Sequence, residues 1–290
     1  MGRWVIALLA AGVALVAASA RAQTEQVLLA PTVVATHDLP SNGITTFPVT
    51  CPRGYIAVSA GVLTAGPGTT LLKITPAGMS SYRFRFGNPV TNGDQRVTVA
   101  VACRKVNSSK YVFRLKPLRT KYVLLPPRRT GSATLECPPG TAPARAGVDL
   151  DPSRQKSLDA YRGGPALSIR SQTSILSRLS FSVLNRGGQP RTVAFYGGCL
   201  TLIREAGTSP ERLHVKATTT SVPLHHGSQT ITRRCPSGWV SFAAGYSLFS
   251  RPTTVAGAAA IARGGRWSLQ NDRDGDTKAD VQLVCGRLAP

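Results

Sequence analysis

The sequence predicts an all-β fold made of three pseudo-repeats of antiparallel sheet, each closed by one disulfide. Three observations predict it: an opening motif that occurs three times, strands that alternate between apolar and polar residues, and turn residues between those strands. The opening motif Cys-Pro-x-Gly begins at Cys51, Cys137 and Cys235, and a second glycine follows ten residues after each cysteine. Because repeats restrict architecture more strongly than any local pattern, this triplication is the primary signal.

Each repeat also closes in one way, with an aromatic residue, an asparagine four residues later, and an alternating strand that ends in a second cysteine. The closing residues are Phe84, Asn88 and Cys103; Phe181, Asn185 and Cys199; and Trp267, Asn271 and Cys285. Six cysteines allow 15 pairings. The repeat selects one of them: Cys51 with Cys103, Cys137 with Cys199 and Cys235 with Cys285. Each bond closes a loop of about 50 to 60 residues, which the chain-entropy model values at roughly 4 kcal/mol.

Strand patterns dominate each repeat. The segments 55–60 and 239–244 follow an opening cysteine, and the residues before each closing cysteine alternate with period two, which is typical of half-buried antiparallel strands. Turn residues at 91–94, 186–189 and 272–276 precede the closing strands in equivalent places. No segment after the N-terminal region shows a long helical period with caps, so the pattern favours strands throughout.

The repeated residues have structural explanations. The proline after each opening cysteine fixes φ and donates no hydrogen bond, which suits a strand end, and the next glycine allows a tight turn. The second glycine lies within a strand pattern, which predicts a bulge or close backbone packing. The asparagine tolerates turn conformations and can bond its own backbone. We therefore assign structural roles to this set, including Phe84, Phe181 and Trp267.

Residues 1–22 have the pattern of a secretory signal peptide. Arg3 supplies the positive charge, an apolar stretch follows, and small residues precede a cleavage position after Ala22. The alternative is an uncleaved anchor, but the apolar stretch is shorter than the roughly 20 residues that a spanning helix needs. No later segment is apolar enough to cross a membrane, so we expect a soluble exported protein. Export agrees with six paired cysteines, since disulfides persist outside the cytosol.

The repeats divide the remaining chain at residues 23–109, 110–204 and 205–290. The second repeat has the widest cysteine spacing, and its extra length falls in the polar stretch 151–177, which we expect to form a longer surface loop. Two arrangements remain open at this point. The repeats are either three small modules in a row or three sheets packed around a pseudo-threefold axis.

The repeat resembles a family of secreted bacterial β-repeats, in which a Cys-Pro-x-Gly opening, a glycine-containing strand, an aromatic-x-x-x-Asn turn and a valine-rich strand ending in cysteine form one module. The resemblance covers nearly all of the chain after the signal peptide. It is carried by Cys51, Pro52, Gly54, Gly61, Asn88, Cys103 and their counterparts. It implies a fold and export rather than a chemical activity. A weaker similarity, in repeat number and Cys-Pro-x-Gly alone, is to the vitelline-membrane outer-layer protein, whose three β repeats form a three-sided prism.

The charge is strongly one-sided, with 35 basic and 13 acidic residues and a net charge of +22. Between Asp94 and Glu136 there are ten basic residues, interleaved with Tyr111, Phe113 and Tyr122, and no acidic one. This pattern predicts binding of anionic glycans or a membrane surface. The candidate residues are Arg114, Lys116, Arg119, Lys121, Arg128 and Arg129. The alternative is a solvated edge strand on which lysine and arginine prevent pairing between sheets. No nucleic-acid-binding motif is present.

One turn is acidic. Asp272, Asp274 and Asp276 alternate in the hairpin turn of the third repeat, and Asp280 follows four residues later. Carboxylates at alternate turn positions suit a hard cation such as Ca²⁺. The stretch lacks the glycine and glutamate positions of an EF-hand loop, so the alternative is a polar hairpin turn. Calcium is the one cofactor that the sequence suggests.

Signals of enzymatic activity are weak. Ser59 lies in a segment similar to a nucleophile elbow, but the segment follows a strand pattern and lacks the first glycine. His225 and His226 have no further ligand at zinc spacing. Two functions remain. The first is a secreted, non-catalytic binding or structural protein with a basic face for anionic polymers or surfaces, and the alternative is a secreted hydrolase with a site between repeats.

Overall fold

The computed structural model describes residues 27–89, 93–107, 111–139, 141–150, 167–175, 177–204, 210–211, 213–249 and 253–288, and β-strands make up its secondary structure in these ranges. The all-β class is confirmed. The predicted signal peptide lies outside the described residues.

The first repeat contains β1 (Val27–Leu29), β2 (Thr32–Leu39), β3 (Gly43–Thr50), β4 (Ile56–Ala65), β5 (Thr70–Ala77), β6 (Ser81–Asn88) and β7 (Gln95–Asn107). The second contains β8 (Tyr111–Pro117), β9 (Lys121–Leu125), β10 (Thr130–Glu136), β11 (Ala142–Asp149), β12 (Leu167–Ile175), β13 (Arg178–Asn185) and β14 (Arg191–Arg204). The third contains β15 (Pro210–Glu211), β16 (Leu213–Leu224), β17 (Gly227–Arg234), β18 (Val240–Leu248), β19 (Thr253–Ile261), β20 (Gly264–Asn271) and β21 (Thr277–Leu288).

The described strands form three antiparallel sheets. Sheet I has the order β1-β7-β4-β19-β20-β17, with β2 also paired to β7. Sheet II has the order β15-β14-β11-β5-β6-β3, with β8 and β9 also paired to β14. Sheet III has the order β10-β13-β12-β18-β21-β16. Each sheet therefore contains strands that are far apart along the chain.

Every sheet is built mainly from two repeats, and sheet II also contains the two-residue β15 of the third. In sheet I, β4 and β7 of the first repeat adjoin β19 and β20 of the third; in sheet II, β11 and β14 of the second adjoin β5 and β6 of the first. In sheet III, β18 and β21 of the third adjoin β12 and β13 of the second. Each repeat thus gives three of its seven strands to a sheet that it shares with a neighbour, and the three exchanges form a closed cycle. Of the two arrangements that the sequence left open, this exchange is the one expected for a pseudo-threefold assembly and not for independent modules.

The seams between repeats lie at the second glycine of each repeat. A Cβ atom added at any of these glycines would overlap a backbone carbonyl oxygen of the adjoining repeat. The glycine and carbonyl pairs are Gly61 with Ala258, Gly147 with Ile74, and Gly245 with Gln172. Just before each glycine, the register of β4, β11 or β18 shifts by a bulge. Both structural expectations for this glycine, a bulge nearby and close backbone packing, are met.

Disulfides close each repeat. Cys51 bonds to Cys103, Cys137 to Cys199 and Cys235 to Cys285, with Cα–Cα distances of 5.7, 5.5 and 5.8 Å. These are the pairs that the repeated pattern predicts. Phe84, Phe181 and Trp267 are buried in the core. The closing strands therefore present the cysteines to the core.

The repeated asparagines lie at the corners of the fold. Asn88, Asn185 and Asn271 are buried, and each side-chain amide donates to carbonyls at the end of an outer strand and in its own hairpin turn. The sequence predicted a bond to the local backbone only. The additional bonds to a segment about 50 residues away connect the closing hairpin to the start of the repeat.

The expectation of a surface loop over residues 151–177 is wrong for its second half. Residues 167–175 form β12, which pairs with β13 on one side and β18 on the other. Residues 151–166 lie outside the described part. Because β12 is rich in serine, its sequence was interpreted as a polar loop and not as a strand. Its partners, one of them from another repeat, supply the backbone hydrogen bonds that make it a strand.

Candidate functional site

The six predicted anion-binding residues are all exposed and follow one edge of sheet II. Arg114 and Lys116 lie on β8, Arg119 lies in the connection to β9, and Lys121 begins β9. Arg128 and Arg129 lie in the turn between β9 and β10, where Arg128 has a φ of 56°. We call this set the basic edge.

The basic edge is a line and not a compact pocket. The β14 partners of β8 and β9 run from Thr201, opposite Arg114, to Arg191, opposite the last residue of β9. At about 3.3 Å per residue this corresponds to about 33 Å. Arg128 and Arg129 lie beyond Arg191, at the far end of the edge from Arg114. Such a line suits an extended ligand better than a small ion.

No residue of the basic edge forms an ion pair with another described residue. Other basic residues of the same stretch behave differently, because Arg96 pairs with Asp38 at 2.9 Å and Arg104 is fully buried. The stretch of ten basic residues is therefore not one uniform face. The six candidates are exposed and have no ion-pair partner among the described residues.

Exposed apolar side chains accompany the basic edge. Tyr122 and Leu124 on β9 are 63% and 67% exposed, and Val112 on β8 is also exposed. Phe113, which the sequence suggested as another surface aromatic, points into the core and contacts Phe242 edge-on at a centroid distance of 6.3 Å. The alternation of β8 explains the difference, because its odd residues face the core and its even residues face solvent.

Arg104, one of the ten basic residues between Asp94 and Glu136, is fully buried in the core. Its guanidinium donates to the carbonyls of Ser241, Pro31 and Cys103 and to the Ser241 hydroxyl. Burial lowers its pKa from 12.5 to about 9. Because Ser241 belongs to the third repeat, Arg104 connects two repeats through backbone carbonyls.

The acidic turn does not assemble a metal site in the structure. Asp272 accepts a hydrogen bond from the Gln270 amide at 2.7 Å, and Asp276 lies 2.9 Å from Nδ1 of His225. Asp280 lies within β21, where its backbone pairs with Ser221 and Ser247 instead of joining the turn with Asp274. Among the described residues there is no group of three or more His, Cys, Asp or Glu that could hold a metal ion. Asp272 and Asp276 thus make hydrogen-bonding contacts to side chains in or beside the turn, which a polar hairpin turn would also make.

Sequence reasoning missed a cavity of about 370 Å³ at the junction of the three repeats. Its buried walls include Ala60, Ile74, Phe86 and Tyr246. Its more exposed residues include Thr69, Gln172, Arg186, Thr254 and Gln270. No single repeat contains these residues in one segment, so no local motif could reveal the site. The described lining includes no carboxylate, imidazole or thiol, and it offers no pair for general acid–base catalysis.

A second missed feature is an ion pair on sheet II. Asp149 is buried and lies 2.9 Å from Nζ of Lys73 across the seam between β11 and β5. Burial, and then the nearby charge of Asp149, raise the pKa of Tyr196 above its usual value. The pair joins the first and second repeats. Lys73 and Asp149 lie far apart along the chain, so only the register of β11 against β5 shows that they meet.

Comparison with protein-family models and with curated proteins finds no match to this chain. In the ranges that the structure describes, no helix has the length and the apolar character to cross a membrane. The basic edge and the cavity are therefore the features from which a function can be inferred.

Proposed function

We propose that this protein is exported, is non-catalytic, and binds anionic polymers along the basic edge. The observation that carries the proposal is the row of six exposed cations without ion-pair partners among the described residues, extending over about 33 Å. A row of this length contacts several charges of a polymer at once. Each contact releases bound counterions, so the affinity falls steeply as salt rises.

The exposed side chains of β9 support an anionic glycan as the polymer. Tyr122 offers a flat ring and a hydroxyl, and it is 63% exposed. An aromatic ring stacks on the apolar face of a sugar while cations elsewhere along the polymer pair with its carboxylates or sulfates. The signal peptide and the three disulfides agree with a location where such glycans are found.

The test compares two variants that lose the same charge. In the edge variant, Arg114, Lys116, Lys121 and Arg128 are replaced by glutamine. In the control variant, the replaced residues are Lys216, Arg233, Arg234 and Arg266, which are exposed on β16, β17 and β20. Fluorescence anisotropy with a labelled heparin oligosaccharide measures the affinity between about 50 and 300 mM salt.

We expect the edge variant to bind more than tenfold more weakly, and the slope of log affinity against log salt to fall by about one for each lost contact. The control variant should lose much less, because only the long-range field of the protein changes. Equal losses in both variants would show that net charge alone attracts the glycan. That result would overturn the basic edge as a site.

A further inference from the structure

The cavity lies where the seams between the three repeats come together, and one seam differs from the other two. Each seam contains an equivalent pair of residues that face each other across adjoining strands: Val148 with Ile74, Val62 with Ala258, and Tyr246 with Gln172. The first two pairs are aliphatic, whereas the third consists of a phenol ring and an amide. Because the common fold is built with aliphatic residues at these positions, the polar pair has no architectural explanation and is a candidate for binding.

All three seams contribute to the wall of the cavity. Ile74, Gln172 and Ala258 line it, and they are equivalent, because each pairs with the buried aromatic residue of its own repeat. Tyr246 also lines the cavity, opposite Gln172. Side chains of residues that face each other across an antiparallel ladder lie on the same face of the sheet. The amide of Gln172 and the ring of Tyr246 therefore lie together on one side of the wall.

The wall also contains a buried hydroxyl group, that of Thr70. This residue begins β5, lines the cavity and is 5% exposed, and its Oγ1 has no hydrogen-bond partner among the described residues. A buried hydroxyl group without a partner destabilises the folded protein. A hydrogen bond between Thr70 and a bound molecule is therefore more favourable than one with a hydroxyl group that is already bonded within the protein.

Thr70 and Gln172 lie at different depths of the cavity. Gln172 lies at the level of its equivalent Ile74, further along β5 from Thr70. On the partner strand β6 the two levels are three residues apart, because Thr70 pairs with Gly87 and Ile74 with Phe84. At about 3.3 Å per residue the levels are separated by about 10 Å along the strand direction. Two fused rings with an oxygen atom at each end have about this span.

The rest of the wall restricts the size and the charge of the ligand. Phe86 and Leu150 are buried in it and offer an aromatic and an aliphatic surface. A cavity of about 150 Å³ holds one benzene ring, so about 370 Å³ accommodates two rings with their substituents. Arg186 is the one charged residue of the described lining, and it already takes part in another interaction. The described lining therefore offers no unpaired charge, which favours a neutral ligand.

We propose that the cavity binds a small neutral aromatic molecule of two rings that carries a hydroxyl group at each end. Its rings pack between Phe86, Leu150 and Tyr246; one hydroxyl group pairs with Oγ1 of Thr70 and the other with the amide of Gln172. The inference goes beyond the proposed function and does not rest on it, because the described lining contains no residue of the basic edge. Since all three repeats form the wall, such a ligand binds the folded chain and stabilises it.

The experiment measures binding of 2,6-dihydroxynaphthalene to the disulfide-bonded protein by calorimetry, with naphthalene as the ligand that lacks both hydroxyl groups. We expect the diol to bind at least about tenfold more tightly than naphthalene. Thr70→Val removes the unpaired hydroxyl group without changing the shape of the side chain, and Gln172→Ile installs the residue of the first repeat. Each should weaken binding of the diol at least about fivefold while naphthalene binds within about twofold of the parent, which shows that the variant is folded. Thr64→Val, at an exposed position of β4, is the control and should change neither affinity.

NMR of the ¹⁵N-labelled protein locates the ligand, and we expect saturable shifts at Gly61, Gly68 and Gly257, which line the cavity. If the diol does not bind, or if it shifts amides elsewhere instead, the cavity is not its site and the inference is wrong. Equal affinities for the diol and naphthalene, or variants that bind the diol as the parent does, would overturn the roles of Thr70 and Gln172. If naphthalene-2,6-disulfonate binds more tightly and shifts the same amides, the ligand is an anion and not a neutral molecule. Binding of heparin to the basic edge is tested separately by the edge variant and stands or fails by itself.

Discussion

Asn185 joins two distant segments of the second repeat through one side chain. Its amide donates to Leu125, Pro126 and Gln189 carbonyls at 2.8 to 3.1 Å, and its oxygen accepts from the Gly187 N–H at 3.0 Å. We expect Asn185→Ala to lower the free energy of unfolding by about 3 kcal/mol, because several buried polar groups lose their partner at once. Urea denaturation measures the change. Gln189→Ala is the matched control, since only the backbone of Gln189 takes part; an equal loss there would contradict the assignment.

Arg104 makes stability depend on pH in a specific direction. Its pKa is lowered to about 9 in the folded state from 12.5, so the unfolded chain binds more protons between these values. The contribution of Arg104 is therefore constant below about pH 9 and stabilises increasingly above it. We expect Arg104→Met to be less stable by about 2 kcal/mol near neutral pH, because the Ser241 and Pro31 carbonyls lose their donor.

The difference in free energy of unfolding between the parent protein and Arg104→Met should increase above about pH 9. In the parent, Arg104 loses its buried charge in this range, whereas the variant has no charge at this position. Tyr82, whose pKa burial raises, is present in both proteins and cancels in the difference. Denaturation of both proteins at about pH 7 and about pH 10 provides the comparison. A difference that narrows with rising pH would contradict the interpretation of Arg104 as a desolvated cation.

For individual residues, the sequence predicted exposure to solvent better than it predicted which side chains come together. Exposure of Arg114 and Lys116 follows from the alternation of β8, and exposure of the other four basic-edge residues follows from the charge of the stretch. Arg104 has the same sequence context but points into the core, because the residue after Cys103 lies where β7 meets the third repeat. The equivalent residues, Leu200 and Gly286, are uncharged, and this difference between repeats was the available signal. The cavity had no signal in the sequence, because its lining comes from all three repeats.

Strands of different repeats meet at positions where only glycine fits. Gly61 on β4 lies against the carbonyl of Ala258 on β19, and a methyl group there would overlap the oxygen. We expect Gly61→Ala to lower the free energy of unfolding by about 3 kcal/mol or more, because the seam of sheet I must open to relieve the overlap. Gly275→Ala is the control, since a Cβ there meets nothing within 4 Å. An unchanged denaturation midpoint in Gly61→Ala would show that the seam is not tight.

The alternating patterns predicted the elements that are paired within one repeat and missed what depends on a neighbour. β7, β14 and β21 form where the alternation predicts strands. Near the closing cysteine, however, β7 from Val99 to Arg104 and β21 from Val281 to Gly286 are buried on both faces and are not the half-buried strands expected. β12 has a serine-rich sequence and becomes a strand between β13 and β18. The exchange of strands was not predictable for the same reason: a period-two pattern identifies a buried face but not the chain segment that covers it.

At the scale of the whole molecule, the exchange makes the three repeats interdependent. Each repeat supplies strands to at least two sheets, so a repeat by itself has open strand edges at β18 and β19, or their equivalents, and uncovered apolar faces. The cavity is lined by residues of all three repeats, so it too forms only when the cycle is closed. Stability and the cavity therefore depend on the same seams.

This interdependence predicts that one repeat does not fold without its partners. We expect residues 205–290 alone to remain unfolded, because β18 lacks β12 and β19 lacks β4, even with the Cys235–Cys285 disulfide formed. Mixed with residues 23–204, the fragment should regain a β-sheet circular dichroism spectrum and elute as a 1:1 complex, since no covalent link is needed for strand pairing. Circular dichroism with size-exclusion chromatography tests both statements. A cooperative unfolding transition of 205–290 alone would show that the repeats are modules that merely associate, because a fragment that folds without its partners does not need their strands.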